Sequence, residues 1–295
     1  MPQKGLAAMK IALGTVQFGL EYGVANTSGR VSSAEAKEIL NAARLAGIDT
    51  LDTAAAYGNS EQVLGDSGID SFKLISKVPL RPESKESPFD WVLKSVERSL
   101  INLQTDSLYG LLLHRPMELL HSSGGELYEA LLDLKKQGLI EKIGASVYGP
   151  EDLDELAADF AFDIVQAPMN ILDRRLESSG WLEKLSECGT EIHIRSAFLQ
   201  GLLLMPSDQR PDYFKPWKAL LADFDAWIEE QNLSPLQACL AYLNQYPEIA
   251  RIVVGVETAK QLQEIISAVD SPVASVPETL QTNDLNLINP AFWKL

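Results

Sequence analysis

Short apolar segments alternate with longer helical segments along the whole chain, and this alternation restricts the fold more than any other feature. The predicted strands are segments 11–15, 50–52, 74–77, 108–114, 142–146, 164–167, 192–196 and 252–255. The predicted helices are segments 32–46, 88–103, 125–137, 150–158, 177–188, 217–231, 235–245 and 258–268. Strands that are separated by helices pair in parallel, so eight such units favour a closed barrel.

The chain length agrees with one barrel, since 295 residues can surround a single large core. A doubly wound open sheet is the alternative, but the G-x-G-x-x-G turn that follows the first strand of such folds is missing from this sequence. We therefore predict an α/β protein with a (β/α)8 TIM barrel as its single domain, residues 1–295. The barrel would occupy about 9–268, followed by a C-terminal tail at 269–295.

Four ionisable residues, Asp52, Tyr57, Lys77 and His114, stand at or just after the ends of successive predicted strands. Taken singly, each has an ordinary explanation, such as a helix cap, a packed ring or a solvated loop residue. The carboxyl ends of parallel barrel strands meet at one face, however, and that face is where such folds build active sites. Four coincidences at that face predict a catalytic cluster.

The segments that carry these residues resemble the tetrad motifs of the aldo-keto reductases, in that family's order. They are Asp52-Thr53-Ala54, Tyr57-Gly58, Ile75-Ser76-Lys77-Val78 and Leu112-Leu113-His114, and the resemblance runs from about residue 9 to about 265. It implies a carbonyl reductase or alcohol dehydrogenase in which Tyr57 is the general acid that protonates a carbonyl oxygen. Lys77 would lower the pKa of Tyr57, Asp52 would keep Lys77 charged, and His114 would orient the carbonyl.

The same resemblance implies a nicotinamide dinucleotide cofactor, because no side chain can carry a hydride. Ser146 and Gln166 match the residues that bind the nicotinamide carboxamide, although Val147 replaces the usual Asn, and Ser196 matches a further cofactor-binding position. Arg195 stands where many members place an aromatic residue that stacks on the nicotinamide. A planar guanidinium can also stack, and a strand-end salt bridge is an equally good interpretation of this residue.

The adenosine end is predicted from the segment after the last strand. Its residues that match cofactor-binding positions are Gly255, Lys260, Gln261 and Glu264. Two positions at which NADPH-specific members carry Lys and Arg are Gly255 and Gln261 here, and Glu257 adds a negative charge. Lys260 is the nearby cation that could bind a 2′-phosphate, and the amides at the helix start can also hold an anion. Glu264 would accept a hydrogen bond from the adenine amine. The resemblance predicts NADPH, with NADH as the alternative.

Composition restricts the partners and the compartment. A net charge of −16 and a pI near 4.6 would repel a phosphate backbone, so no nucleic-acid partner is expected. No apolar run approaches the length of a membrane span, and residues 1–5 lack the apolar stretch of a signal peptide. We expect a cytoplasmic monomer or small homo-oligomer that acts on a sugar or another small carbonyl compound, without a membrane partner. Cys188 and Cys239 lie far apart, which predicts no metal site.

Two other functions remain open from the sequence. One is a non-catalytic regulatory subunit that binds a nicotinamide nucleotide on the same barrel. The other is a barrel aldolase that uses Lys77 as a Schiff base. Phe18, Tyr22, Trp91 and the loop after Gln200 are predicted to line the substrate pocket, and the polar segment 81–88 is predicted to be a mobile loop.

Overall fold

The protein folds as a closed barrel of eight parallel strands in a single domain, which confirms the predicted fold class. The computed structural model describes residues 10–82, 86–271 and 275–295. The strands follow one another in sequence order around the barrel, and β8 closes it by pairing with β1. They are β1 (Ile11–Gly14), β2 (Thr50–Asp52), β3 (Lys73–Val78), β4 (Leu108–Leu113), β5 (Ile140–Ser146), β6 (Ile164–Pro168), β7 (Glu191–Arg195) and β8 (Ile249–Gly255).

Helices surround this barrel. In the described residues they are α1 (Val16–Gly19), α2 (Ser33–Leu45), α3 (Ser60–Gly65), α4 (Pro88–Leu103), α5 (Gly124–Lys136), α6 (Pro150–Leu156), α7 (Arg175–Ser178), α8 (Trp181–Glu187), α9 (Lys218–Glu230), α10 (Pro235–Asn244), α11 (Ala259–Ala268) and α12 (Leu285–Ile288). Short 3₁₀ segments occur at Pro116–Leu120, Leu199–Leu204, Asp212–Trp217 and Pro290–Phe292. None of the described helices is long and apolar enough to cross a membrane.

Local capping explains where several helices begin. The Ser32 side chain accepts a hydrogen bond from the amide of Glu35 and so starts α2 at the predicted place. The predicted helix 177–188 is wrong in one respect, since it is divided into α7 and α8. Gly180 adopts a left-handed φ of 80° between them, which ends one helix and starts the next. The short helix α3 was not predicted.

The register of the strands brings their carboxyl ends to one level. Gly14 pairs with both Asp52 and Gly255, and Ser146 pairs with Gln166. Beneath that level the barrel interior is filled by Ile75, Leu112 and Ile164, all fully buried. The strand ends at the carboxyl face are therefore supported from below by a packed apolar barrel interior.

The C-terminal tail packs against the segments that follow β6 and β7. Arg174 donates hydrogen bonds to the carbonyl oxygens of Pro277 and Leu280, at 2.9 and 3.5 Å. The Trp293 ring packs edge-on against Phe214, with centroids 4.9 Å apart. Residues 272–274 of this tail, residues 1–9, and residues 83–85 of the predicted mobile loop lie outside the described residues. Arg81 at the start of that loop is anchored by its amide, which donates to Glu118.

Candidate active site

Four ionisable side chains meet at the carboxyl face of the barrel, as the sequence predicted. Asp52 ends β2, Lys77 lies near the end of β3, His114 follows β4, and Tyr57 lies in the loop before α3. Lys77 Nζ donates to Asp52 Oδ1 at 2.6 Å and lies 3.5 Å from the Tyr57 hydroxyl. The His114 and Tyr57 rings meet edge to face, with centroids 5.9 Å apart. The cluster thus joins a phenol, an ion pair and an imidazole.

The ion pair is buried beneath the phenol. The side chains of Lys77 and Asp52 are only 1% and 5% exposed. Burial lowers the pKa of Lys77, but the nearby Asp52 carboxylate and Tyr57 phenol raise it by more, so the net shift is upward. Lys77 also donates to the carbonyl oxygen of Thr53 at 3.0 Å. Lys77 therefore remains a charged ammonium, fixed next to the Tyr57 oxygen.

His114 is held neutral by its surroundings. Burial lowers the pKa of His114 to about 4, and the positive charge of Lys77 contributes in the same direction. At neutral pH the imidazole keeps one N–H donor and one acceptor nitrogen. Next to Tyr57, it can donate a hydrogen bond to a carbonyl oxygen without carrying a charge of its own.

The loop that carries Tyr57 is positioned by two glycines. A Cβ atom on Gly19 would lie 1.8 Å from the Tyr57 carbonyl oxygen, so only glycine allows α1 to pass this closely. Gly58 has a φ of 57°, and a Cβ there would lie 2.5 Å from the Gly19 carbonyl oxygen. The close contact of these two backbones fixes the height of the Tyr57 ring above the barrel.

Ser60 and Glu61 of the same motif have structural roles. Ser60 Oγ donates to the Thr15 carbonyl oxygen at 2.8 Å, and Ser76 Oγ donates to the buried Glu61 carboxylate at 2.7 Å. These bonds connect the start of α3 to the ends of β1 and β3. They hold the catalytic loop in place from below.

The predicted carboxamide ligands are coupled directly to the tetrad, which the sequence did not indicate. Gln166 Nε2 donates to Asp52 Oδ2 at 2.7 Å, and Ser146 Oγ lies 3.5 Å from Gln166 Oε1. Gln166 still keeps one N–H and free lone pairs on Oε1 for a ligand amide. Val147, in the place of the usual Asn, has a fully buried side chain. Its carbonyl oxygen accepts a hydrogen bond from Arg195.

A cavity of about 370 Å³ begins at this cluster and runs along the carboxyl face. Asp52, Tyr57 and Gln166 line one end, and Glu257, Gln261 and Glu264 line the segment that follows β8. We refer to this cavity as the cleft. Its elongated lining, from the tetrad to the start of α11, suits a long ligand.

The predicted substrate-pocket residues divide into two groups. Tyr22 and Gln200 line the cleft. For Phe18 and Trp91 the prediction is wrong, because both are buried in the hydrophobic core, at 0% and 8% exposure. An aromatic side chain next to a turn has no sequence signal that distinguishes these two environments.

Two loops that line the cleft are hydrogen-bonded to each other. The amide of Val24 donates to the Gln200 carbonyl oxygen at 3.1 Å, and Gln200 Nε2 donates to the Tyr22 hydroxyl at 2.9 Å. The second loop is strained, since Ser196, Leu199 and Gln200 all have positive φ angles of 46–61° without being glycines. Strain of this kind persists mostly at ligand sites, and it indicates that the backbone here is shaped for a ligand.

Arg195 lies over a ring at the tetrad end of the cleft. Its guanidinium stacks on Tyr148 at 4.9 Å from the ring centroid and donates to the Val147 carbonyl oxygen at 2.9 Å. Arg115 stacks on the same ring at 5.1 Å. Within the described ranges Arg195 forms no ion pair, so the strand-end salt bridge is not observed there. Next to it, Ser196 Oγ accepts from Arg195 at 3.4 Å.

The far end of the cleft is acidic. Gly255 leaves room for the Gln17 side chain, since a Cβ on Gly255 would lie 2.5 Å from the Gln17 amide. Gln17 Oε1 is buried without a hydrogen-bond partner among the described residues. Glu257 and Glu264 line the cleft, whereas the predicted ligand Lys260 is 85% exposed and lies 3.8 Å from Glu264. Glu257 is the residue by which the sequence already indicates this acidity.

These features fit a nicotinamide dinucleotide. Gln166 and Ser146 offer amide-binding atoms next to the tetrad, Arg195 offers a flat face, and Gln17 offers an unpaired acceptor along the cleft. The strained loop from Ser196 lines the same cleft. No group of three or more potential metal ligands occurs in the part of the chain that the structure describes.

A barrel with this tetrad defines an oxidoreductase of one family. Residues 10–276 match the Aldo/keto reductase family, and the chain therefore belongs to that family. The resemblance of the chain to this family is thereby confirmed.

Curated relatives match over most of their length. The Uncharacterized oxidoreductase YqkF of Bacillus subtilis (strain 168) is 27% identical over 284 residues, which cover 89% of this chain and 91% of that protein. The NADH-specific methylglyoxal reductase of Escherichia coli (strain K12) is 26% identical over 271 residues, which cover 79% and 82%. The holo form of aldo-keto reductase AKR11C1 from Bacillus halodurans shares the fold, with a TM-score of 0.70, 23% identity, and coverage of 90% of this chain and 88% of that chain.

Proposed function

We propose that this protein is a carbonyl reductase that converts an aldehyde or ketone into the alcohol, with Tyr57 as the general acid. The observation that carries the proposal is the position of the Tyr57 hydroxyl, 3.5 Å from a buried ammonium and at one end of a long cleft. A small carbonyl compound or a sugar aldehyde is the proposed class of substrate.

Each tetrad residue has one task in this reaction. Tyr57 donates its proton to the carbonyl oxygen as the carbon accepts a hydride, so that the C=O bond becomes an alcohol. Lys77 stabilises the negative charge that develops on the phenol oxygen, and Asp52 holds Lys77 in place at 2.6 Å. Neutral His114 donates a hydrogen bond to the same carbonyl oxygen and so fixes its direction.

A bound nicotinamide dinucleotide would supply the hydride and leave in its oxidised form. Ser146 and Gln166 would hold its carboxamide, and Arg195 would lie against its ring. Gln166 also donates to Asp52, so binding of the amide and alignment of the tetrad are coupled through one side chain. Motif resemblance favours NADPH, yet one relative is named NADH-specific, so family membership does not decide between the two.

The environment of Lys77 argues against the aldolase alternative. An amine must be uncharged to attack a carbonyl carbon, but Lys77 is paired with Asp52, has a raised pKa and is 1% exposed. The regulatory-subunit alternative rests on the altered cofactor-binding positions, but the intact tetrad argues against it. All four tetrad side chains are in contact in the structure.

The proposal includes a cytoplasmic location, a small-molecule partner and a monomer or small homo-oligomer. Its support is the net charge of −16, which would repel nucleic acid and anionic membrane surfaces. The free, exposed Cys188 is typical of a reducing compartment.

Substitution of Tyr57 tests the function. Purified wild type and Tyr57→Phe are titrated with NADH and NADPH by fluorescence, and carbonyl-dependent cofactor oxidation is then measured over a panel of aldehydes and ketones. We expect Tyr57→Phe to bind cofactor like wild type and to lose about 10²–10⁴-fold in kcat. Tyr128→Phe is the matched control, because its hydroxyl donates to the Ala161 carbonyl oxygen on the surface and Tyr128 does not belong to the cleft lining of the described residues.

Other outcomes would identify the alternatives. Undiminished turnover in Tyr57→Phe would refute its role as the acid. Cofactor binding without turnover in the wild type, over the whole panel, would favour the regulatory subunit. Trapping of a carbonyl compound on Lys77 by borohydride, without any dinucleotide, would establish the aldolase.

A further inference from the structure

We infer that the far end of the cleft selects a ribose without a 2′-phosphate, so that the protein binds NADH more tightly than NADPH. This inference rests on the proposed function, because it concerns the cofactor of that same site. It reverses the order of preference that the sequence motif predicted.

The direction of the cofactor follows from the chemistry of the cleft. Hydride transfer requires the nicotinamide next to Tyr57, at the end lined by Asp52 and Gln166. A dinucleotide laid along the cleft then places its adenosine at the opposite end, where Glu257, Gln261 and Glu264 form the lining. The groups at the start of α11 therefore meet the adenosine ribose.

Carboxylates surround that end. Glu257 and Glu264 line it, and Glu35 reaches the first turn of α11 from α2, where its carboxylate accepts from the Ala259 amide at 2.7 Å. A phosphate next to carboxylates is destabilised by like-charge repulsion. An uncharged ribose carries no such cost, and its hydroxyls can donate to the carboxylates.

The amides that would otherwise hold a phosphate already have partners. A helix start attracts anions because its first N–H groups have no partners within the helix. At α11, however, the Ala259 amide donates to Glu35, and the Gln261 amide donates to Thr258 Oγ1 at 3.1 Å. The Glu257 amide donates to Gln261 Oε1 at 2.7 Å. The protein's own oxygens occupy this anion site.

The nearest cation does not offset the repulsion between these carboxylates and a 2′-phosphate. The Lys260 side chain is 85% exposed and is not part of the cleft lining, and its ammonium lies 3.8 Å from Glu264. Arg195, which does line the cleft, stacks on Tyr148 near the tetrad. Arginine and lysine are the groups that favour phosphate recognition, and neither lines the far end within the described residues.

Glu257 is fixed as an acceptor. Burial raises the pKa of Glu257, whereas Ser28 and Gln261 next to its carboxylate favour the charged form. Its backbone amide donates to Gln261 Oε1 at 2.7 Å, which ties the residue to α11. A carboxylate held in this way can accept hydrogen bonds from ribose hydroxyls without first losing side-chain freedom. We therefore assign the preference for NADH over NADPH mainly to Glu257.

Binding measurements test the inference without depending on turnover. Dissociation constants are measured by calorimetry for NADH and NADPH, and for ADP-ribose and its 2′-phosphate, which lack the nicotinamide and report only on the adenosine half. We expect the phosphorylated member of each pair to bind at least about tenfold more weakly to wild type. The ratio should shrink as ionic strength rises from about 0.02 to 0.5 M, because salt screens the repulsion.

Three variants locate the effect. Glu257→Gln should lower the NADPH-to-NADH ratio of dissociation constants about three- to tenfold, and Glu35→Gln should lower it less, because its amide oxygen still caps Ala259. Glu97→Gln, at an exposed position of α4 away from the cleft, is the control for net charge and should leave the ratio unchanged. Circular dichroism of each variant checks that it is folded.

The outcomes separate this inference from the proposed function. Equal or tighter binding of NADPH by wild type overturns the inference and leaves the reductase function standing. A preference for NADH that survives both Glu257→Gln and Glu35→Gln overturns the assignment to these carboxylates. Binding of neither dinucleotide overturns the inference and the proposed function together.

Discussion

The depressed pKa of His114 makes a quantitative prediction about stability in acid. Burial, followed by the charge of Lys77, lowers the pKa of His114 to about 4 in the folded protein. The ordinary value of 6.5 applies to the unfolded chain. Between these values the unfolded state binds a proton that the folded state rejects, so stability is lost as the pH falls.

The size of the loss follows from the two values. At neutral pH both states have an uncharged imidazole and the effect is close to zero. At about pH 5 it lowers the free energy of unfolding by about 2 kcal/mol, and its limit below the folded pKa is about 3 kcal/mol. His114 is more than half buried, so solvent screening removes little of this effect.

The assay is urea unfolding of wild type and His114→Gln at several values from about pH 7.5 to about pH 5. Other groups titrate in both proteins, so the useful quantity is the difference in unfolding free energy between them. As the pH falls, we expect wild type to lose about 2 kcal/mol of unfolding free energy relative to His114→Gln. His121→Gln, at an exposed loop position, is the control. A difference that stays constant over this range would refute the buried, neutral state of His114.

Two further predictions concern the loops around the cleft. Gly19→Ala should lower kcat/KM about 100-fold, because a Cβ there lies 1.8 Å from the Tyr57 carbonyl oxygen and must displace the catalytic loop by roughly 1 Å or more. The exposed Gly125→Ala, which meets no atom within 4 Å, is its control, and equal activity in both variants would contradict the prediction. Gln200→Ala removes the 2.9 Å bond to Tyr22 across the cleft and should speed cofactor release about two- to tenfold in stopped-flow experiments. Unchanged release would show that this contact does not retain the cofactor.

Local patterns were sufficient for the architecture. Strands such as β4 and β6 are nearly continuous apolar segments because they are buried on both faces of a parallel barrel. Caps such as Ser32 mark helix starts within a few residues. The Gly180 break between α7 and α8 was missed, since an isolated glycine is tolerated inside many helices.

The environments of single aromatic and polar side chains were harder to predict. Phe18 and Tyr22 lie four residues apart, yet one is in the core and the other lines the cleft. The bond from Gln166 to Asp52 spans 114 positions, and no local pattern indicates it. Such contacts depend on how the strands are placed around the barrel.

The sequence by itself determined the barrel, the four tetrad residues and the face on which they meet, because strand ends of a parallel barrel converge wherever β/α units repeat. The tertiary structure alone decided the charge at each end of the cleft. Glu35 caps Ala259 from 224 residues away, and Lys260 turns out to solvent although it stands beside the cleft in the sequence. The physical reason is that an electrostatic environment is summed over space, whereas a motif is read along the chain.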